Sequence, residues 1–251
     1  MLKLSCFLIT FLAFSFSIQA QAVDSLVARG MRFENAMNEQ EALKQYQAAI
    51  ALDSGNVEAL CHASILTSRE GNRQKNSGQK TFYFDKAKSL AATALRKSTD
   101  NKEANYAMAL ALMHLSTVSG AKEKAADLKA IKTYADKALL IDSKYAVAWN
   151  ILGKWNYEVS TLNFAERTAL KFLFGKLPIA SLENAINDYL KCRKLDPGYI
   201  QNVYDLAIAY HAKGQDVEAI TTLNEAIHLR PILQDDRSIQ ENCRNMIQQL
   251  Q

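Results

Sequence analysis

Apolar positions recur along most of the chain at three- and four-residue steps, the period of a helix with one buried face. Ala42, Tyr46 and Ala49 form one such set, and Ala185, Tyr189 and Cys192 repeat it at the same offsets. Ala87, Ala91 and Ala94, then Ile131, Ala135 and Ala138, are looser copies. Small residues at these spacings let two helices approach closely while bulky neighbours fill the gaps. Turn chemistry follows three of the sets: Asp53-Ser-Gly55, Asp142-Ser143 and Asp196-Pro-Gly198. With only 9 Gly and 3 Pro in 251 residues, turn material is too scarce for a many-stranded β architecture. The pattern predicts an all-α chain.

The helical sets are also periodic over a longer range. Trp149-x2-Leu152-Gly153 opens one unit, and Leu206-Ala207-x2-Tyr210, Gly214, Ala219, Ala226 and Pro231 mark another over 34 residues. This resembles the tetratricopeptide (TPR) repeat, which implies a right-handed superhelix of antiparallel helix pairs. Five units are expected: 23–56, 57–101, 102–145, 146–199 and 200–233. The middle three carry 11, 10 and 20 residues beyond 34, expected between the two helices of each repeat. Residues 234–251, with Ile239, Cys243, Met246 and Leu250 near helical spacing, are expected to cap the last repeat.

The first 22 residues break the pattern. Lys3 is followed by an uncharged apolar run from Leu4 to Ile18 and then by Ala20-Gln21-Ala22, the layout of a secretory signal peptide cleaved after Ala20 or Ala22. The expectation is an exported chain in the periplasm of a Gram-negative bacterium, with no transmembrane span after cleavage. An uncleaved segment tethering the chain to a membrane is the alternative. Cleavage after Ala22 leaves Cys61, Cys192 and Cys243, which spacing alone does not pair and which read as buried apolar residues.

Charge and composition remove further classes. An excess of +4 is too slight to imply nucleic acid. His62, His114, His211 and His228 form no metal-binding spacing, and there is no Gly-rich phosphate loop or nucleophile motif. No cofactor, metal or catalytic residue is expected, so the chain reads as non-catalytic.

Residues 149–212 carry a narrower likeness. Gly153-Lys-Trp155-x-Tyr157, Phe172-Leu-Phe-Gly-Lys-Leu-Pro178, Leu195-Asp-Pro-Gly198 and Asn202-x3-Leu206-Ala resemble the regulator of microtubule dynamics family. The resemblance implies a helical docking domain with no catalytic residues. It also implies, from some animal members, membrane anchors and phospholipid held in the TPR cavity. Microtubule binding does not carry over to a chain that reads as exported.

In such a superhelix the first helix of each repeat lines the concave face. Three rows follow: Val27, Cys61, Tyr106, Asn150, Tyr204; then Met31, Ile65, Leu110, Lys154, Ile208; then Glu34, Ser68, Met113, Tyr157, His211. An apolar wall of this kind needs a cover. Three covers are open. The insertion Thr161–Leu177 could fold over as a lid, with Phe164, Leu170, Phe172, Leu173 and Phe174 as its apolar surface and Arg167, Lys171 and Lys176 as its cations. A partner's amphipathic helix or an acyl chain are the others. The leading expectation is a scaffold for an unidentified protein or peptide; the alternative is a lipid-binding groove gated by the insertion. Ser68–Lys80, rich in Arg, Lys, Asn and Ser, is expected to be an exposed loop.

Overall fold

Twelve helices account for the architecture in a computed structural model that describes residues 2–251, with side chains from residue 19 onward. They are α1 (Leu2–Asn35), α2 (Glu39–Leu52), α3 (Val57–Arg73), α4 (Ser77–Lys97), α5 (Lys102–Ser116), α6 (Ala121–Ile141), α7 (Ala146–Thr161), α8 (Phe164–Phe174), α9 (Leu182–Leu195), α10 (Ile200–Ala212), α11 (Asp216–His228) and α12 (Asp236–Leu250). Among the described residues there is no strand, so the all-α expectation holds. The apolar run of the expected leader lies outside the residues whose side chains are described.

The helices pair in sequence order as antiparallel hairpins, α1/α2, α3/α4, α5/α6, α7/α9 and α10/α11, each packed on the next. Their limits follow from local chemistry. Asn38, Asn56, Asn76, Asn101 and Asn163 each cap a helix by accepting a backbone N–H near its start. Asp53, Asp142 and Asp196 close α2, α6 and α9. Each turns its own carboxylate onto the N–H two residues on, which redirects the chain into the next hairpin.

Within hairpins the close approach depends on glycine. A Cβ on Gly30 would stand 2.5 Å from the Tyr46 ring, and one on Gly153 would stand 2.5 Å from the Tyr189 ring. Each aromatic therefore packs directly against the backbone of the helix opposite it. The largest cluster gathers Leu128, Ile131, Ile151, Trp155 and Leu170 in the middle of the array, and Trp155 Nε1 donates to the Leu128 carbonyl at 2.7 Å.

One expectation about the insertions needs correction. The extra residues of the second and third hairpins are taken up in helix. They lengthen helices, so that α4 and α6 reach 21 residues against 13 in α10 and α11. Ser68–Lys80 is accordingly helical on either side of a short turn, and Ser68 is fully buried. Its arginines are drawn inward by Glu39, a carboxylate only 4% exposed that needs cations beside it. Cys61, Cys192 and Cys243 are buried free thiols, pushed by burial up to about 12, 12 and 11, which keeps them protonated.

The curl brings distant parts of the chain together. Arg73 donates from Nε and Nη2 to the two carboxylate oxygens of Asp235 at 2.7 and 2.9 Å, and also to Glu39. Arg69 donates to Glu39 at 2.8 Å, and the Glu39 backbone N–H donates to Gln234 Oε1 at 3.1 Å. These contacts tie the segment before α12 to α2 and α3, closing the superhelix on itself.

Candidate functional site

The closure encloses a cavity of about 320 Å³. First helices of four hairpins supply most of its wall. Arg69 and Asn72 come from α3, Tyr106, Leu110, Met113 and His114 from α5, Asn150, Lys154 and Tyr157 from α7, and Asp205 and Ile208 from α10. Tyr189 of α9 and Tyr199 just before α10 add to it, and Leu233, Asp235, Asp236 and Ile239 line it from the C-terminal end.

Seven residues expected in the groove therefore meet in one cavity: Tyr106, Leu110, Met113, Asn150, Lys154, Tyr157 and Ile208. Tyr204 and His211 do not. Helix α12 crosses the exposed end of α10 and turns that face into a separate depression, where Tyr204 and His211 meet Asn242, Asn245 and Met246. His211 there pairs with Asp216 at 2.6 Å. The N-terminal ends of the rows are core as well. Val27 packs with Ala42 and Tyr46, and Cys61 with Leu60, Ala94 and Ala104.

The lid expectation is overturned. No residue of α8 lines the cavity. Leu170, fully buried, anchors α8 in the cluster that contains Leu128 and Ile131 of α6. Lys124 of α6 bridges to Glu166 at 3.0 Å, and Lys129 Nζ donates to the Leu173 carbonyl at 3.0 Å. Phe174 is half-buried under Lys129, while Phe164, Arg167, Lys171 and Phe172 face solvent. Lengthening α6 gave the insertion an outer wall to lie on, and that wall won.

The cavity is more polar than the row pattern implied. Lys154 pairs with Asp205 at 2.8 Å, and Asn150 donates to the same carboxylate at 2.9 Å. Gln201 holds the other Asp205 oxygen at 2.9 Å. Sequence reasoning missed Arg69, Asp205, Asp235 and Asp236. Only Arg69 and Asp205 carry a signal in the pattern: each lies on a first helix one position beyond a residue assigned to the groove. Leu110, Met113, Ile208, Leu233 and Ile239 supply the apolar part of the wall. The result is an amphipathic pocket with buried hydrogen-bonding side chains. Among the described residues, no group of His, Cys, Asp and Glu is arranged to hold a metal.

His114 reports on this environment. Burial pushes its imidazole down to about 3, and the nearby Lys154 and Arg69 cations push the same way, against the 2.8 Å contact with Ser68. The unfolded chain titrates near 6.5, so between about 6.5 and 3 it binds more protons than the folded one. Stability is therefore expected to fall as pH drops through that window. A His114→Gln variant should lose less stability between pH 7 and pH 4 in urea denaturation than the unaltered chain; an equal loss would place the titration elsewhere. His62 works in the opposite sense. Burial disfavours its charge, but the hydrogen bond and charge of Glu34 outweigh burial and raise its pKa, so its contribution is present below 6.5 and fades at higher pH.

Comparison with known proteins places this architecture. The family described as regulator of microtubule dynamics protein 1-3 matches residues 24–251. The chain belongs to this family. Regulator of microtubule dynamics protein 3 of Xenopus laevis is 27% identical over 190 residues, covering 75% of this chain and 40% of its own length. The human regulator of microtubule dynamics protein 2 is 24% identical over 176 residues, covering 70% and 43%. This member thus spans about two-fifths of the length of the curated relatives it matches. A thermophilic TPR protein of Thermus thermophilus superposes with a TM-score of 0.63 at 14% identity, over 89% of this chain and 100% of that one. The fold of this family member is a TPR-like superhelix of stacked hairpins. Among the described residues, no helix is long and apolar enough to cross a membrane.

Proposed function

We propose that this family member is a non-catalytic scaffold that takes a peptide segment of a partner protein into the cavity. The observation that carries the reading is the convergence of four hairpins and the C-terminal segment on one amphipathic pocket. A peptide has both kinds of group that such a wall matches: apolar side chains for Leu110, Met113 and Ile208, and backbone or polar groups for Asn150, Lys154 and Asp205. An acyl chain matches only the first. It would offer nothing to the polar half of the wall, where Asn150, Lys154 and Asp205 bond to one another. The volume also lies at the lower end of the roughly 300–1,000 Å³ typical of ligand pockets.

Export belongs to the same proposal. What supports it is the leader-like pattern of residues 1–22; from residue 19 onward, the first buried side chain of α1 is Val23, followed by Val27.

Native mass spectrometry of the protein isolated from its own cells addresses both points. The expected result is a chain starting at Gln21 or Val23 with a bound polypeptide, lost on Ile208→Asp while the circular dichroism spectrum is unchanged. Bound phospholipid in place of a polypeptide would overturn the reading of the cavity, and an intact residue 1 would overturn the reading of the leader.

A further inference from the structure

Helix α8 is held on one side and left bare on the other. Its inner side needs Leu170, with Ala169 and Leu173 half-buried beside it, and the ends are fixed by a reciprocal cap between Asn163 and Glu166 and by Gly175 at φ 76°. On its outer side, turns of about 100° per residue bring Phe164, Arg167, Lys171 and Phe172 onto one face. Phe164 and Phe172 are each 87% exposed. Neither contributes to the fold, yet each forfeits the gain a buried phenyl ring would bring. Lys176 and Ile179, the latter 90% exposed, continue the same composition just beyond the helix. The acidic residue of α8, Glu166, is turned inward and neutralised by Lys124, so the outer face is cationic without offset from its own helix.

From these observations we propose that the outer face of α8 docks on an anionic lipid surface, with Phe164 and Phe172 entering the interface and Arg167 and Lys171 meeting the headgroups. Phenyl rings flanked by cations on the projecting face of a short, rigid helix suit a planar boundary between water and acyl chains. Charge decides the lipid class: three cations, Arg167, Lys171 and Lys176, attract anionic headgroups and gain nothing from neutral ones. This surface is separate from the cavity, so the proposal stands or falls independently of what the cavity binds.

The test is co-flotation of the full chain with phosphatidylcholine vesicles and with vesicles that also contain phosphatidylglycerol. The N-terminal apolar run is common to every variant, so the change between variants in the preference for anionic over neutral vesicles reports on α8. That preference is expected to fall by roughly tenfold or more in Phe164→Ser/Phe172→Ser and in Arg167→Gln/Lys171→Gln. Phe172→Trp is expected to gain quenching by brominated acyl chains above the baseline set by Trp149 and Trp155. All four side chains are exposed, so thermal melts should match the unaltered chain. An unchanged preference in the phenylalanine pair would overturn the proposal, as would the absence of any added quenching in Phe172→Trp. Self-association that disappears in the same pair, with no vesicle preference, would show that the face contacts protein instead.

Discussion

Replacing Trp155 by alanine is expected to cost about 4 kcal/mol, the middle of the range for removing a buried aromatic ring. The ring is 1% exposed in the central cluster, with Lys132 lying 5.4 Å over its face. Its Nε1 also donates to the Leu128 carbonyl of α6, a tie between α7 and α6 that the substitution removes. No neighbour can relax into the space, because Ile131, Ile151, Val159 and Leu170 are each held in place by the helices of the same cluster. For a domain of this size the melting temperature should fall by roughly 10 °C. Chemical denaturation measures the loss. Trp149, half-buried and bonded to the Ser143 carbonyl in a turn, is the control, and its replacement should cost far less. Comparable losses would mean that the central cluster is not what holds α6, α7 and α8 together.

Arg73→Ala is expected to open the superhelix. Among the described residues, Arg73 alone joins Glu39 to Asp235 by side-chain contacts, and its two parallel bonds to Asp235 have a planar geometry that a lysine cannot reproduce. Truncation leaves Asp235 without its cation and Glu39 with Arg69 alone. The expected loss is about 2 kcal/mol. This is smaller than the roughly 3–5 kcal/mol of a fully buried pair because water reaches Arg73 and Asp235 and because Arg69 remains. The sharper sign is local. Amide exchange should accelerate in residues 232–240, which depend on this contact, while α10 and α11 keep their protection. Arg73→Lys should behave more like alanine than like arginine. Uniform acceleration, or none, would mean that the closure does not depend on Arg73.

The hairpins were legible in the sequence because each is written locally. Ala42, Tyr46 and Ala49 carry a three- and four-residue period that only a helix buries on one face, and Asp53, Asp142 and Asp196 carry turn chemistry that acts within two residues. The family was legible for the same reason, in motifs such as Gly153-Lys-Trp155, where glycine admits the Tyr189 ring. The cavity was half legible. A helix face can be phased from its own residues, so Tyr106, Leu110, Asn150, Lys154 and Ile208 could be placed together. What lies opposite could not be phased, because it depends on contacts between residues as far apart in the chain as Arg73 and Asp235. In sequence, Arg69 and Arg73 looked like loop cations, since nothing local announces a buried Glu39 at the start of the preceding helix. The insertion misled for a related reason. Its Phe and Leu content fits a lid over the groove and a helix on the outer wall equally well, and the choice was made by the length of α6.

The most direct test of the central claim is photo-crosslinking in the native cell, with benzoylphenylalanine at position 157, inside the cavity, and at position 217 on the exposed surface of α11. Tyr157 is aromatic and half-buried, and Val217 is 77% exposed, so neither exchange should disturb the fold. The account predicts one discrete, protease-sensitive adduct from position 157 and none of that mass from position 217. The same adduct from position 217, or a lipid adduct at position 157, would contradict it.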